Sequence, residues 1–309
     1  MKKQSFLLRL WKDLSRHWDA YILVIPVVLY YLIFCYKPLY GVLIAFKDFS
    51  PMKGVIGSEW TKNYGMQNFI DFFGSYYFGR ILKNTVVISL STIIFGFPAP
   101  IIFALLLNEI KSTKFKKITQ TVSYMPHFIS IVVVASLIHS FTADKGIITA
   151  FLSLFGMERV SLLSKQQYFV PIYVISGIWQ ELGWGAIIYL AALTGIDQQL
   201  YEAAKIDGAN RWKQLFHVTL PGISQTIVIM LLLRMGSVMS VGYEKIILLY
   251  NPGIYDTADV ISSFVYRKGL LEYQWSYSAA VGLFNSIINF VIVLIFNKLS
   301  RKITEVSLW

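Results

Sequence analysis

Long apolar runs separated by short polar segments fill almost the whole chain. A transmembrane helix needs about 20 mostly apolar residues, because it rises 1.5 Å per residue across ~30 Å of hydrocarbon. Apolar runs of this length occur at 20–44, 82–107, 119–141, 170–194, 223–249 and 276–297. The pattern predicts an all-α, polytopic membrane protein with six transmembrane helices. Lys37 and Pro38 interrupt the first run, so we expect that helix to kink there or to end near Tyr36.

Composition indicates a lipid bilayer as the medium of this protein. Of its 309 residues, 56% are hydrophobic and only 15% are charged, and the mean hydropathy is +0.57. Soluble domains carry roughly a quarter charged residues. The formal net charge of +11 does not indicate nucleic-acid binding, since a nucleic-acid binder would gather its Lys and Arg on one soluble face. Here those residues fall between apolar runs.

The positions of Lys and Arg predict the orientation of the chain. If the N-terminus lies inside, the cytoplasmic segments hold fifteen of these residues and the external segments hold eight. Cytoplasmic loops carry the excess of positive charge, so we expect both termini in the cytoplasm and the chain in a cell membrane. We interpret 81–297 as one unit of five helices. The N-terminal segment, first helix and following loop occupy 1–80, and a cytoplasmic tail occupies 298–309.

The cytoplasmic loop at 196–222 has a local pattern of its own. Asp197 and Asn210 are each placed to cap the first turn of a short helix. Gly208 stands between those helices, where a left-handed residue ends the first one. Pro221 closes the second helix and starts the next span. The loop therefore predicts a helix, a glycine turn, a helix and a proline stop.

This two-helix element carries apolar side chains on the cytoplasmic side. The first helix has a narrow face of Leu200, Ala203 and Ala204, and the second holds Trp212, Leu215 and Phe216. The residues alone allow two alternatives, an amphipathic hairpin on the membrane surface or a hairpin that docks on a protein.

The spacing within this loop resembles a known signature. Glu202-Ala203-Ala204, then Gly208, then Val218-Thr219-Leu220-Pro221 is similar to the EAA signature of permeases from binding-protein-dependent ATP-binding-cassette (ABC) importers. Val218 replaces the common Ile and stays β-branched. Shorter stretches, among them Tyr40–Phe49, Tyr124–Phe128 and Leu249–Pro252, resemble the complex-polysaccharide branch of the maltose-permease-like sugar permeases.

The resemblance implies a type I ABC importer permease fold and a transport role without catalysis. In that family the loop forms coupling helices held in a cleft of the ATPase. The coupling residues it implies are Glu202, Ala203, Ala204, Asp207, Gly208, Leu220 and Pro221. It further implies a second, different permease, two ATPases and an extracellular binding protein that delivers oligosaccharides. The chain has no G-x-x-x-x-G-K-[ST] loop, so ATP and Mg are expected on the partner ATPases and no cofactor on this chain.

Polar residues inside the spans are candidates for the substrate path, because a charge in hydrocarbon must face protein or a water-filled cavity. In the fifth run Ser237 and Glu244 are seven residues apart, which predicts a polar stripe on one helix face with Arg234. Aromatic and acidic groups in the fourth run suit sugar binding. The tentative set is Trp179, Glu181, Trp184, Arg234, Ser237, Tyr243 and Glu244. Internal ion pairing and interfacial tryptophan anchors are the structural alternatives.

Two other functional classes were weighed. An intramembrane enzyme that processes glycans or lipids would need clustered acids or a His/Ser/Asp set at one depth, and none is evident. No His pair has metal-ligand spacing either, so no metal or catalytic site is expected. An ion-coupled secondary transporter would leave the cytoplasmic signature unexplained.

Overall fold

The structure is a computed structural model that describes residues 14–308. Residues 1–13 and Trp309, which belong to the predicted cytoplasmic ends, lie outside the described part. The described helices, in chain order, are α1 (Trp18–Phe46), α2 (Gly54–Gly57), α3 (Gln67–Phe73), α4 (Phe78–Glu109), α5 (Thr113–Tyr124), α6 (Ile131–Thr142), α7 (Ile147–Ser153), α8 (Gln166–Thr194), α9 (Gln198–Ile206), α10 (Arg211–Met235), α11 (Tyr243–Leu249), α12 (Tyr255–Ala258), α13 (Ile261–Tyr266) and α14 (Trp275–Thr304).

The predicted all-α class is confirmed, with one small exception. Strands β1 (Lys47–Asp48) and β2 (Glu59–Trp60) form an antiparallel pair after α1. Within residues 14–308, five helical segments are long and apolar enough to cross a membrane: α1, α4, α6 together with α7, α10 and α14. Helix α8 has 29 residues, which is also long enough, but it is more polar. Each of the six predicted runs overlaps one of these segments, although the third run, 119–141, overlaps α6 only from Ile131 and the fifth run, 223–249, overlaps α10 only to Met235.

Three of the long helices pass a proline by widening the turn ahead of it. The π turns Tyr31–Tyr36, Thr92–Gly96 and Leu215–Thr219 each end two residues before a proline, at Pro38, Pro98 and Pro221 respectively. A proline has no N–H to donate, and its ring clashes with the carbonyl four residues earlier. A wider turn relieves this clash, because it shifts the local hydrogen bonds from i−4 to i−5.

Two expectations about prolines change for this reason. Of the two outcomes expected at Lys37 and Pro38, a kink or an end near Tyr36, the end is wrong, since α1 continues to Phe46 with a last segment of 3₁₀ helix. Pro221 is not a stop, since α10 runs through it from the cytoplasmic loop into the span. The N–H of Leu220 reaches back to the carbonyl of Leu215, and the Thr219 hydroxyl donates to the carbonyl of Gln214.

The third and fifth predicted spans are not continuous helices, which corrects the sequence prediction. The third run divides into α5 and α6 at the 3₁₀ turn Met125–Phe128, which contains Pro126. The fifth run divides into α10 and α11, and the helix ends at Met235. The polar stripe on one helix face is therefore wrong, because Ser237 and Glu244 do not share a helix.

Side chains of other helices satisfy the backbone of the unwound segment 236–242. Asn289 accepts from the N–H of Met239 at 2.8 Å, and the hydroxyls of Ser89 and Ser262 donate to the carbonyls of Val238 and Val241. Non-helical backbone at membrane depth persists only where protein or a water-filled cavity surrounds it. These contacts hold the opened segment in place between α4, α13 and α14.

Clusters of buried hydrophobic residues hold the helices together. Ile101, Ala186 and Ile223 belong to one cluster that joins α4, α8 and α10. A second cluster packs α6, α8 and α11 together, and a third joins α3, α4, α13 and α14. The early part of α1 is exposed along its whole length, and only its end packs on α14, where Ala45 meets Ala280.

Candidate functional site: a charged cavity and a two-helix element

A cavity of about 650 Å³ lies between α4, α6, α8, α10 and α11. Pockets for small molecules typically measure roughly 300–1,000 Å³. Its lining includes four charged side chains: Glu181 from α8, Arg234 from the last turn of α10, and Glu244 and Lys245 from α11. The unwound segment 236–242 brings α11 back toward α8, and this return places Glu244 and Lys245 in the cavity.

Lys245 is buried and has local partners. Its Nζ donates to the carbonyl of Tyr173 at 3.1 Å and lies 4.8 Å from the centre of the Tyr173 ring. Gly177 lies beside this ammonium group, since a Cβ there would be in ordinary van der Waals contact with it, at 3.5 Å. The lysine therefore joins α11 to α8 and also faces the cavity.

Glu181 is held by the break in the third span. The Nδ1 atom of His127 lies 3.1 and 3.2 Å from the two carboxylate oxygens of Glu181. The His127 ring also stacks on the indole of Trp184, with ring centres 4.4 Å apart and planes nearly parallel. Gln180 donates to the carbonyl of Ile129 next to the break. One face of α8 thus fixes the turn between α5 and α6.

A smaller cavity of about 280 Å³ adjoins the larger one. Arg234, Tyr173, Thr92 and Gly242 line both spaces. Hydroxyl groups and the backbone of the unwound segment make up most of the remaining lining, which contains no carboxylate.

The predicted substrate-path residues divide into two groups. Glu181, Arg234, Tyr243 and Glu244 line the larger cavity, and Ser237 lines the smaller one. Trp179 and Trp184 line neither cavity, and both side chains are half exposed. Trp184 instead packs against the His127 turn. The stacking role suggested for these two indoles has no support from the cavity geometry.

Sequence reasoning missed Tyr173 as a cavity residue. Its carbonyl accepts from Lys245, and the residue lines both cavities. The available signal was Gly177, a glycine in the middle of a long helix one turn from Tyr173. A glycine within a helix often has a packing reason, and Gly177 faces the Lys245 ammonium, although a Cβ there would still stand at an ordinary contact distance of 3.5 Å.

The two-helix element at 196–222 has the predicted caps and turn. Asp197 accepts from the N–H of Gln199 at 2.9 Å, and Asn210 accepts from the N–H of Lys213 at 2.9 Å. Gly208 adopts a left-handed conformation with φ of 76°. The Tyr201 hydroxyl lies 3.0 Å from that of Thr219. This contact joins α9 to the π turn of α10 that precedes Pro221.

Large apolar side chains on this element are exposed. Ile206 is 86% exposed and Trp212 is 69% exposed, and Leu200 and Phe216 are also exposed. Sequence reasoning did not single out Ile206, although it stands two residues before the glycine turn. The predicted coupling residues Glu202, Ala203, Asp207, Gly208 and Pro221 lie on the surface, and Ala204 and Leu220 are half-buried.

Comparison with known proteins decides the family. Residues 72–305 match the family described as the inner membrane component of binding-protein-dependent transport systems. The chain belongs to this family. The resemblance seen in the EAA-like loop is confirmed, and so is the fold of an ABC importer permease. The permease is a transport subunit of the cell membrane with several membrane-spanning helices.

Two relatives from Bacillus subtilis (strain 168) and one solved structure are closely similar. The polygalacturonan/rhamnogalacturonan transport system permease protein YteP is 42% identical over 94% of this chain and 89% of its own length. Protein LplB is 42% identical over 96% of this chain and 92% of its own length. A chain from the crystal structure of a bacterial ABC transporter involved in the import of the acidic polysaccharide alginate is 44% identical, with a TM-score of 0.87, over 96% of this chain and 99% of that chain.

The solved relatives also include a structure of the bacterial alginate ABC transporter in complex with an alginate pentasaccharide-bound periplasmic protein, 42% identical with a TM-score of 0.88 over 97% of this chain and 100% of that chain. The prediction of an oligosaccharide importer permease agrees with the names of these relatives. The two alternative classes, an ion-coupled transporter and an intramembrane enzyme, find no support among them.

Proposed function

We propose that this permease moves oligosaccharides inward through its central cavity, driven by ATPases that dock on α9 and the start of α10. The observation that carries the proposal is the exposed apolar surface of that element, around Ile206 and Trp212. An exposed apolar patch on a soluble loop indicates an interaction site. Its caps and glycine turn fix its shape before any partner binds, as a transmission element requires.

The partners in this proposal are two ATPases, a second and different permease, and an extracellular binding protein. ATP and Mg bind to the ATPases, because the chain lacks a phosphate-binding loop. Closure of the ATPases would push α9 and α10, and the helices around the cavity would then alternate between two openings. Alternating access about a central site is the general logic of transporters.

Docking of the ATPase can be tested at Ile206. The substitution Ile206→Asp places a charge on the apolar surface, and we expect it to weaken co-purification of the ATPase with the permease by about tenfold or more, which corresponds to ~1.4 kcal/mol. Ile56→Asp is the matched control, since Ile56 is 79% exposed in the loop after α1. Equal ATPase recovery with both variants would contradict the docking surface.

The proposed cargo is an acidic oligosaccharide, a breakdown product of a uronic-acid polysaccharide. Two observations support this class. Relatives are named for the transport of polygalacturonan and of the acidic polysaccharide alginate, and cationic side chains of Arg234 and Lys245 line the cavity. Uptake of labelled oligogalacturonides by the reconstituted transporter tests it. Competition by neutral oligosaccharides but not by acidic ones would contradict it.

The orientation with both termini in the cytoplasm is supported by the distribution of Lys and Arg. It places α9 on the side where ATP is available. Cys35→Ser removes the one native cysteine, and a new cysteine at Ser300 or at Met52, which is 98% exposed, then reports the side. We expect an impermeant maleimide added outside intact cells to label position 52 only. Labelling of position 300 would reverse the orientation.

A further inference from the structure

Arg234 lies at the point where α10 opens. Its side chain lines both cavities, and the helix ends one residue later at Met235. Among residues 14–308 no carboxylate lies within 4.0 Å of its guanidinium, and no side-chain hydrogen bond satisfies it. A guanidinium presents five N–H donors in a fixed plane, so this group is open toward a ligand.

The other charged groups around the cavity differ from Arg234. Lys245 donates to the Tyr173 carbonyl, and Glu181 is paired with His127. Glu181 and Glu244 line only the larger cavity. The smaller cavity therefore contains one charged side chain, Arg234, and no acid to balance it.

The rest of the smaller cavity is suited to a hydrated or hydroxylated ligand. Ser89, Thr92, Ser237 and Ser240 contribute hydroxyl groups to its lining. Ser89 and Thr92 already donate to the carbonyls of Val238 and Ile88, so these oxygens remain available as acceptors. A positive group among neutral hydroxyls favours an anion that also carries hydroxyl groups.

We propose that the smaller cavity is a carboxylate subsite in which Arg234 binds the carboxylate of one uronic-acid unit of the cargo. The larger cavity then holds the neighbouring sugar units. The guanidinium plane matches a carboxylate with two parallel hydrogen bonds, which gives both strength and orientation. This assignment rests on the proposed function, in that it presupposes an acidic oligosaccharide as cargo.

The test uses the complete transporter, with its ATPases, second permease and binding protein, in proteoliposomes. The probes are a trigalacturonide and its fully methyl-esterified, uncharged form. Each uptake rate of a variant is divided by the wild-type rate for the same sugar, so that any preference of the binding protein cancels. We expect Arg234→Gln to lower uptake of the acidic sugar about tenfold or more and to leave uptake of the ester unchanged.

A measurement without the binding protein complements uptake. Equilibrium dialysis of the assembled transporter should give a Kd for trigalacturonide that rises about tenfold in Arg234→Gln and partly recovers in Arg234→Lys, which keeps the charge but loses the planar fork. Arg159→Gln is the matched control, since Arg159 is exposed and contacts only the Ser153 hydroxyl. This control should behave as wild type.

Several outcomes would overturn the assignment. Equal losses for acid and ester would give Arg234 a structural role, such as an ion pair with the second permease, and no change in either would remove it from the path. If Arg234→Gln does not assemble, Arg234→Lys decides, since unchanged uptake of the acidic sugar would refute the subsite. A wild-type transporter that moves the ester but not the acid would refute the acidic cargo itself.

Discussion

Asp259 is fully buried between two arginines that come from different parts of the chain. Arg267 binds both carboxylate oxygens, at 3.2 and 2.7 Å, and Arg80 of α4 lies 3.5 Å away. The Ser263 hydroxyl donates to the same carboxylate at 2.9 Å. Burial acts to lower the pKa of Arg267, but the bonds and charge of Asp259 outweigh it and raise that pKa. The cluster fixes the segment around α13 against α4.

We expect Asp259→Asn to destabilise the permease by about 3 kcal/mol, because removal of one partner leaves buried charges uncompensated. The measurement is the Tm of the purified protein in detergent. Asp256→Asn is the control: Asp256 also pairs with Arg80 but is 65% exposed, and exposed pairs contribute about 1 kcal/mol or less. Equal shifts in Tm for the two variants would contradict a structural role for the buried cluster.

Gly183 sets the distance between α8 and α5. A Cβ at this position would overlap the carbonyl oxygen of Ser123, which belongs to the backbone and cannot turn away. Gly183→Ala should therefore force the two helices apart and lower the Tm by several degrees. Gly282→Ala in α14 is the control, because its Cβ would meet nothing within 4 Å and alanine favours a helix by about 1 kcal/mol over glycine. An unchanged Tm in Gly183→Ala would show that α5 and α8 are not in close contact at this position.

At the scale of elements, α10 and the opened segment 236–242 show which features the sequence predicts and which it does not. The length and apolarity of α10 are visible in the sequence, as are the caps and the left-handed glycine of the cytoplasmic element. The end of α10 at Met235 is not, because it depends on acceptors and donors from Ser89, Ser262 and Asn289. The residues next to Met235 in the sequence do not predict hydrogen bonds to those distant partners.

The prolines were visible in the sequence but their effect was misjudged. Pro38 was expected to kink or end its helix and Pro221 to end one, since proline breaks the usual i−4 pattern. A π turn ending two residues earlier lets each helix continue. Whether a proline stops a helix depends on whether tertiary packing stabilises the helix on both sides of it. A single sequence does not contain that information.

The bond from Met239 to Asn289 gives a direct test of the opened segment. Asn289→Leu removes the acceptor and leaves a buried N–H without a partner, which costs about 1–3 kcal/mol. We expect faster hydrogen exchange at residues 237–241, measured by mass spectrometry. Asn285→Leu is the control, because Asn285 contacts only the Ser240 hydroxyl at 3.4 Å. Unchanged exchange in Asn289→Leu would show that the other contacts suffice.

At the scale of the whole molecule, α8 connects the two functional regions. Tyr173 and Glu181 face the cavity from this helix, and Asp197 directly after it caps α9. We therefore propose that α8 carries a displacement of the two-helix element to the cavity. The cavity residues were only partly predictable. The charges stood out in the sequence, but their shared location depends on the return of α11 to α8, where Lys245 donates to the carbonyl of Tyr173.

The coupling of ATP hydrolysis to uptake through the cytoplasmic element is the central claim, and Gly208→Leu tests it most directly. Gly208 and Gly156 both have positive φ and open space around them, so Gly156→Leu reproduces the backbone strain away from the element. Both variants should insert and assemble. In proteoliposomes with ATPases and binding protein, we expect Gly208→Leu to abolish uptake while ATP hydrolysis continues, and Gly156→Leu to transport normally. Normal uptake by Gly208→Leu would contradict the account.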